Sequence, residues 1–115
     1  MRKIERLMIN AIRNRQNFKL ANTEVICDPE NPNFAVSVYL YKSCIATFDD
    51  KHSLVFWSNC GYKTATTKSR LNAILGEFCK AGIYQKDFQW YAYLPQLADE
   101  LFVERGEHYA FAYAN

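Results

Sequence analysis

Thr64-Ala65-Thr66-Thr67-Lys68-Ser69-Arg70-Leu71-Asn72-Ala73-Ile74-Leu75-Gly76-Glu77-Phe78-Cys79-Lys80-Ala81-Gly82 is the stretch on which the fold turns. Leu71, Ile74, Leu75 and Phe78, joined by Cys79, recur at helical spacing and form one apolar stripe. Thr66 or Thr67 is a suitable N-cap, since a threonine hydroxyl accepts an amide hydrogen left free in the first turn. Gly82 is placed to stop the helix. The spacing therefore predicts a main helix over Thr67 to Ala81.

Upstream, the period changes from helical to two. Phe34, Val36, Val38 and Leu40 point one way, and Ala35, Ser37, Tyr39 and Tyr41 the other. Lys42-Ser43 reads as a tight turn into a strand from Cys44 to Phe48, and Asp49-Asp50-Lys51-His52 as a polar turn into Ser53 to Trp57. Three short strands with short polar connections read as an antiparallel meander. Thr23 to Cys27 is a further short β-branched run, followed by loop chemistry from Asp28 to Asn33. Ser58 to Gly61 breaks the last strand, and Tyr62 to Thr64 is expected to pair briefly before the helix.

The first segment reads as a basic amphipathic helix with Ile4, Leu7, Met8, Ala11 and Ile12 on one stripe, ending near Arg15 to Asn17. After the main helix, Ile83 to Tyr93 reads as a strand, with Lys86-Asp87 marking a turn or bulge. Pro95 is expected to start a short helix carrying Leu97, Ala98, Leu101 and Phe102, which Gly106 ends. Tyr109 to Tyr113 alternates and adds a final edge strand. The predicted class is α+β. An antiparallel sheet of about four to six strands carries the main helix on one face, with N-terminal and short C-terminal helices at its ends. No internal repeat, low-complexity tract or linker divides the chain, so residues 1–115 read as one domain.

Composition narrows the function classes. Half the residues are apolar and 16% are aromatic, which excludes disorder. A net charge of +2 does not by itself call for nucleic acid. The charge is unevenly spread: residues 1–20 carry six basic residues against Glu5 alone, and residues 61–72 carry Lys63, Lys68 and Arg70 with no acid. Acids gather at Glu24 to Glu30, at Asp49-Asp50 and at Asp99 to Glu107. Met1-Arg2-Lys3 resembles the start of a signal peptide, but polar and charged residues interrupt the segment downstream of it. No apolar run of about 20 residues exists to span a bilayer, so no membrane partner is expected.

Catalytic and metal patterns are missing. Cys27, Cys44, Cys60 and Cys79 form no Cys-x-x-Cys pair, and His52 and His108 are far apart, so no metal and no cofactor is expected. Gly82-Ile83-Tyr84 matches half of a nuclease signature whose second half is missing. The chain is therefore read as a non-enzyme.

Two binding candidates remain. The helix start offers free amides and partial positive charge, to which Lys63, Thr66, Thr67, Lys68 and Arg70 add donors and charge that would hold a phosphate of a nucleotide or nucleic acid. Read locally, the same threonines cap the helix, Arg70 pairs with an acid, and Asn72 ties down the glycine turn. The second candidate is aromatic: Tyr39, Tyr41, Tyr62, Tyr91 and Tyr93 suit a protein interface or a stacking platform for single strands. Unpaired edge strands also leave room for a homodimer.

The stretch from Tyr39 to Tyr91 resembles a family of small phage proteins classed as a domain of unknown function. Leu40 with Ile45-Ala46 resembles the family's strand-turn-strand opening. Trp57, Gly61, Thr64, Thr66-Thr67-Lys68, Arg70-Leu71-Asn72 and Leu75 follow its glycine turn and Thr-x-Thr-Thr-Lys run. Tyr84-Gln85-Lys86 and Trp90-Tyr91 resemble its next strand. The family's frequent His-Gly-Asn turn is replaced here by Tyr41-Lys42-Ser43-Cys44. The resemblance implies viral origin and residence in the host cytoplasm. With small size and no catalytic motif, it leads to the expectation of a phage protein that binds a host protein, an inhibitor of antiviral defence among the candidates. Nucleic acid or nucleotide binding at the helix start is the alternative.

Overall fold

The computed structural model describes residues 1–31, 33, 35–94 and 99–114. Among the described residues two helices, α1 (Lys3–Arg13) and α2 (Ala65–Cys79), accompany nine strands in two antiparallel sheets. The larger sheet holds β1 (Phe18–Leu20), β2 (Thr23–Cys27), β3 (Val36–Leu40), β4 (Ser43–Asp49), β5 (Leu54–Trp57) and β9 (Tyr109–Ala112), in that spatial order. The smaller holds β6 (Gly82–Lys86), β7 (Gln89–Leu94) and β8 (Asp99–Val103).

The period-two pattern works as expected in the large sheet. Val25, Val38, Ala46 and Trp57 are successive cross-strand partners and all are buried; Val36, Phe48, Val55 and Phe111 form the parallel row. The two rows cover one face of the sheet, on which α1 meets β2 and α2 meets β5. Phe34, expected in the same alternation, lies outside the described residues. A register shift between Val38 and Tyr39 leaves Ile45 as an extra residue in β4, and this bulge turns Ile45 into the core. The β3–β4 turn is Tyr41-Lys42, one residue earlier than expected, with both residues in the left-handed region (φ 48° and 67°). That is the geometry of a hairpin turn of type I′.

Helix α2 begins earlier than the spacing suggested. Thr64 is the N-cap: its Oγ1 accepts from the Thr67 amide at 3.1 Å. Thr66 and Thr67 therefore lie inside the helix, and no strand forms over residues 62–64. Lys80 takes the left-handed C-cap conformation, so Gly82 is free to open β6. Leu71, Ile74, Leu75 and Cys79 are buried as expected, with Phe78 partly buried against the core. In α1 the apolar stripe holds for Met8, Ala11 and Ile12 and gains Ile9, while Leu7 is exposed.

The C-terminal third differs most. The segment after α2 is a hairpin: Lys86 pairs with Gln89 across Asp87-Phe88, a second turn with both residues left-handed. Over Asp99–Val103 the expected helix is replaced by β8, whose Val103 faces Trp90 while Phe102 faces Tyr91. Leu101, Phe102 and Val103 serve alternate faces of a strand there. Pro95, Leu97 and Ala98, the start of that expected helix, lie outside the described residues. Ile83, Trp90, Ala92 and Val103 join the same core cluster as the large sheet. Asn72 fastens the small sheet to α2: its Nδ2 donates to the Ile83 carbonyl at 3.0 Å and its Oδ1 accepts from the Ile83 amide at 2.6 Å. It thus holds the first strand rather than the glycine turn.

Candidate functional site

The basic helix start is largely turned inward. Arg70, 3% exposed, donates from Nη1 to Glu5 Oε2 at 2.8 Å, from Nε to Thr23 Oγ1 at 3.0 Å and from Nη2 to Asn22 Oδ1 at 3.3 Å. Ser69 donates to the same Glu5 oxygen at 2.5 Å. Burial pushes the Glu5 carboxyl up, but hydrogen bonds from Ser69, Arg70 and the Arg2 amide outweigh it and hold the group below its ordinary value. Arg70 thus pairs with an acid and is not presented to an anion in solution. Thr67 is buried too, its hydroxyl 2.9 Å from that of Thr64.

Of the five residues at this start, Lys63 is exposed and Thr66 and Lys68 are half-buried. Lys63 Nζ donates to the Phe88 carbonyl at 3.1 Å and shares a cleft of about 470 Å³ with Arg105, Glu104 and Glu107, so acids offset its charge. The sequence-adjacent cluster is dispersed by the fold, because a helix turns Lys68 and Arg70 to different sides.

The tyrosines divide between two places. Tyr39, Tyr41 and Tyr62 lie around the β3–β4 turn and the loop before α2, with Tyr41 and Tyr62 exposed and Tyr39 half-buried. Tyr91 and Tyr93 lie on the solvent side of the small sheet, where they are joined by residues the spacing does not single out. Tyr84 stacks on Tyr91 with centroids 5.5 Å apart, Phe102 meets Tyr91 edge-on at 5.7 Å, and Tyr93 lies 6.3 Å from Tyr84. The register puts Tyr84, Tyr91 and Phe102 directly opposite one another across three strands. Gly82, opposite Tyr93, makes room for its ring: a Cβ there would stand 2.6 Å from the Tyr93 hydroxyl oxygen. Phe88 projects from the adjoining turn, 85% exposed.

The β8 end of this face is acidic, while exposed Lys86, two residues from Tyr84 on the same side of β6, puts a positive charge at its other end. Interaction with the Glu100 carboxylate, with burial and the neighbouring Tyr91, pushes the Tyr84 phenol up to about 12. Asp99 and Glu100 open β8, and Glu104 follows it. The apolar spacing after Pro95 hides the Tyr91–Phe102 contact, because it puts Phe102 on a helix. Reading Asp87-Phe88 as a two-residue turn brings Tyr84 opposite Tyr91.

Other reactive groups are held by their surroundings. The four cysteines are free, and burial pushes the Cys79 thiol up to about 11. His52 Nδ1 lies 2.8 Å from Asp49 Oδ2, with no hydroxyl or thiol bonded to the ring among the described residues. Among the described residues no group of three or more His, Cys, Asp or Glu could hold a metal ion, and no helix is long and apolar enough to cross a membrane.

No curated protein and no solved structure matches the chain. A protein-family match does exist, and it covers residues 1–110. It takes in α1 and β8, which the resemblance from Tyr39 to Tyr91 leaves out. The chain belongs to the Kyanoviridae Gp96 protein family, a phage family of unknown function.

Proposed function

We propose that this phage protein acts without catalysis, by docking the aromatic face of its small sheet on a host protein in the host cytoplasm. The observation that carries the reading is the row Tyr84, Tyr91 and Phe102, extended by Tyr93 and Phe88. Aromatic side chains offer large contact area with few rotors to freeze, and they are enriched at interface cores. The acids at its β8 end favour a partner with a basic surface there. Occupying a component of antiviral defence is the consequence we assign to such docking.

The test is recovery of a host protein by the intact chain at physiological salt, repeated with Tyr93→Ser/Phe102→Ser. A stoichiometric partner retained by the wild type and lost by the variant is the expected result. Equal retention by both, or no stoichiometric partner in repeated trials, defeats the reading.

A further inference from the structure

A cleft of about 200 Å³ opens between the β3–β4 turn and the first turn of α2. Leu40 and the bulge residue Ile45, both buried, give it an apolar side. Tyr41 and Tyr62, 70% and 58% exposed, flank it. Thr64 and Thr67 bring the helix start to its edge.

Asn59 also lines the cleft and is fully buried. Its Oδ1 accepts from the Gly61 and Gly106 amides, each at 2.9 Å, and these two bonds establish which end of the carboxamide is oxygen. Neither glycine lines the cleft. The group left over is Nδ2, a buried donor with no partner among the described residues. Buried polar groups are almost always bonded, so an orphan of this kind asks for an acceptor.

The two threonines can add a donor at the edge of the cleft, although both hydroxyls already have a partner and Thr64 is exposed. One hydroxyl donates to the other across 2.9 Å, so whichever accepts keeps a proton free to donate. Among the described residues no charged side chain lines the cleft. An anion taken into it would lose its hydration with no cation to replace it. The chemistry that fits is a neutral, flat group with an acceptor oxygen, apolar faces and aromatic neighbours.

A second cleft of about 200 Å³ adjoins the first at Tyr41 and is lined by Lys19 and Lys42, with Glu24. A ring held beside Tyr41 would therefore have lysines close by for the phosphate it carries. From this arrangement we infer that the cleft between Tyr41, Tyr62 and Asn59 binds a carbonyl-bearing nucleobase, presented by a nucleotide or by single-stranded nucleic acid. The site shares no residue with the docking face of the small sheet.

The test is titration of the intact protein with uridine 5′-monophosphate and with a short oligothymidylate, followed by amide chemical shifts and calorimetry. Saturable binding is expected, with shifts centred on Tyr41, Asn59, Tyr62 and Thr67. Tyr41→Ala and Tyr62→Ala, at exposed positions, should each weaken it about tenfold. Asn59→Asp keeps the oxygen acceptor but removes the donor and should abolish it; if that variant does not fold, the tyrosine variants decide. Tighter, salt-sensitive binding of the oligothymidylate assigns the base to a single strand. Binding of the mononucleotide at equal or greater strength assigns it to a free nucleotide. Failure of both probes to saturate at millimolar concentration overturns the inference, as does indifference to both tyrosine variants. It is overturned too if tyrosine amide binds the cleft as tightly as the nucleotide, which would make it a slot for a protein side chain. Tyr93→Ser/Phe102→Ser should leave nucleotide binding unchanged, which separates this test from that of the docking face.

Discussion

Arg70 and Glu5 are 65 positions apart, yet each is the other's charge partner in the interior. Removing one partner of a buried pair leaves an unpaired charge, so Glu5→Ala and Arg70→Ala should each destabilise the protein by about 3–5 kcal/mol. The double variant should cost clearly less than the sum, because the second change removes the charge the first one stranded. Denaturant unfolding of the three variants checks this. The pH dependence follows from the lowered Glu5 value. A carboxyl held below its ordinary 4.5 contributes stability that is fully present above that value and is lost as pH falls through the folded one. The stability gap between wild type and Glu5→Gln should therefore be widest above about pH 5 and should narrow steadily below about pH 4. A gap that does not change with pH would mean that Glu5 carries no linked proton.

At the scale of elements, the N-cap is the cleanest case. Thr64→Ala removes the acceptor for the Thr67 amide and should cost about 1 kcal/mol. Thr66→Ala, already inside the helix, should stay within about 0.5 kcal/mol. Thermal unfolding of the two variants tells them apart. The small hairpin offers the opposite sign. Phe88 sits at φ 65° in its turn, where a side chain is strained and glycine is not. Phe88→Gly should stabilise the fold by about 0.5–1 kcal/mol, the relief of left-handed strain less glycine's greater entropy loss. If Phe88 belongs to the docking face, the same variant should weaken partner binding while raising the unfolding midpoint.

Over the whole molecule, stability is unevenly placed. β3, β4 and β5 lie at the centre of the large sheet with α2 against it, whereas β1 has three residues and β8 is largely exposed. Hydrogen exchange should follow that order: slowest amides in residues 36–57, fastest in β1 and β8. Protection of β8 equal to that of β4 would show that the small sheet opens only with the whole fold. The outer strands of the large sheet, β1 and β9, have no further strand beside them among the described residues and are edges through which a second copy could pair. A homodimer formed this way should protect β1 or β9 amides in proportion to protein concentration, read by the same exchange experiment.

Some of this architecture was legible from local order alone. Val36, Val38 and Leu40 alternate because a strand has two faces, and Leu71, Ile74 and Leu75 recur because a helix turns every few residues. Those periods are properties of neighbouring residues and need no knowledge of the rest of the chain. The helix start was legible only roughly, since the spacing pointed to Thr66 or Thr67 and the cap oxygen is that of Thr64. What the tertiary structure alone decided depends on distant partners. Phe102 joins a strand because β7 lies beside it, despite a plausible helical pattern from Pro95. Arg70 faces inward because Glu5, Thr23 and Asn22 converge on it; a buried charge is tolerable only where its partners are already placed. The run from Thr64 to Asn72 announced a helix by itself, but which of its polar residues met solvent was settled by segments far away in the chain.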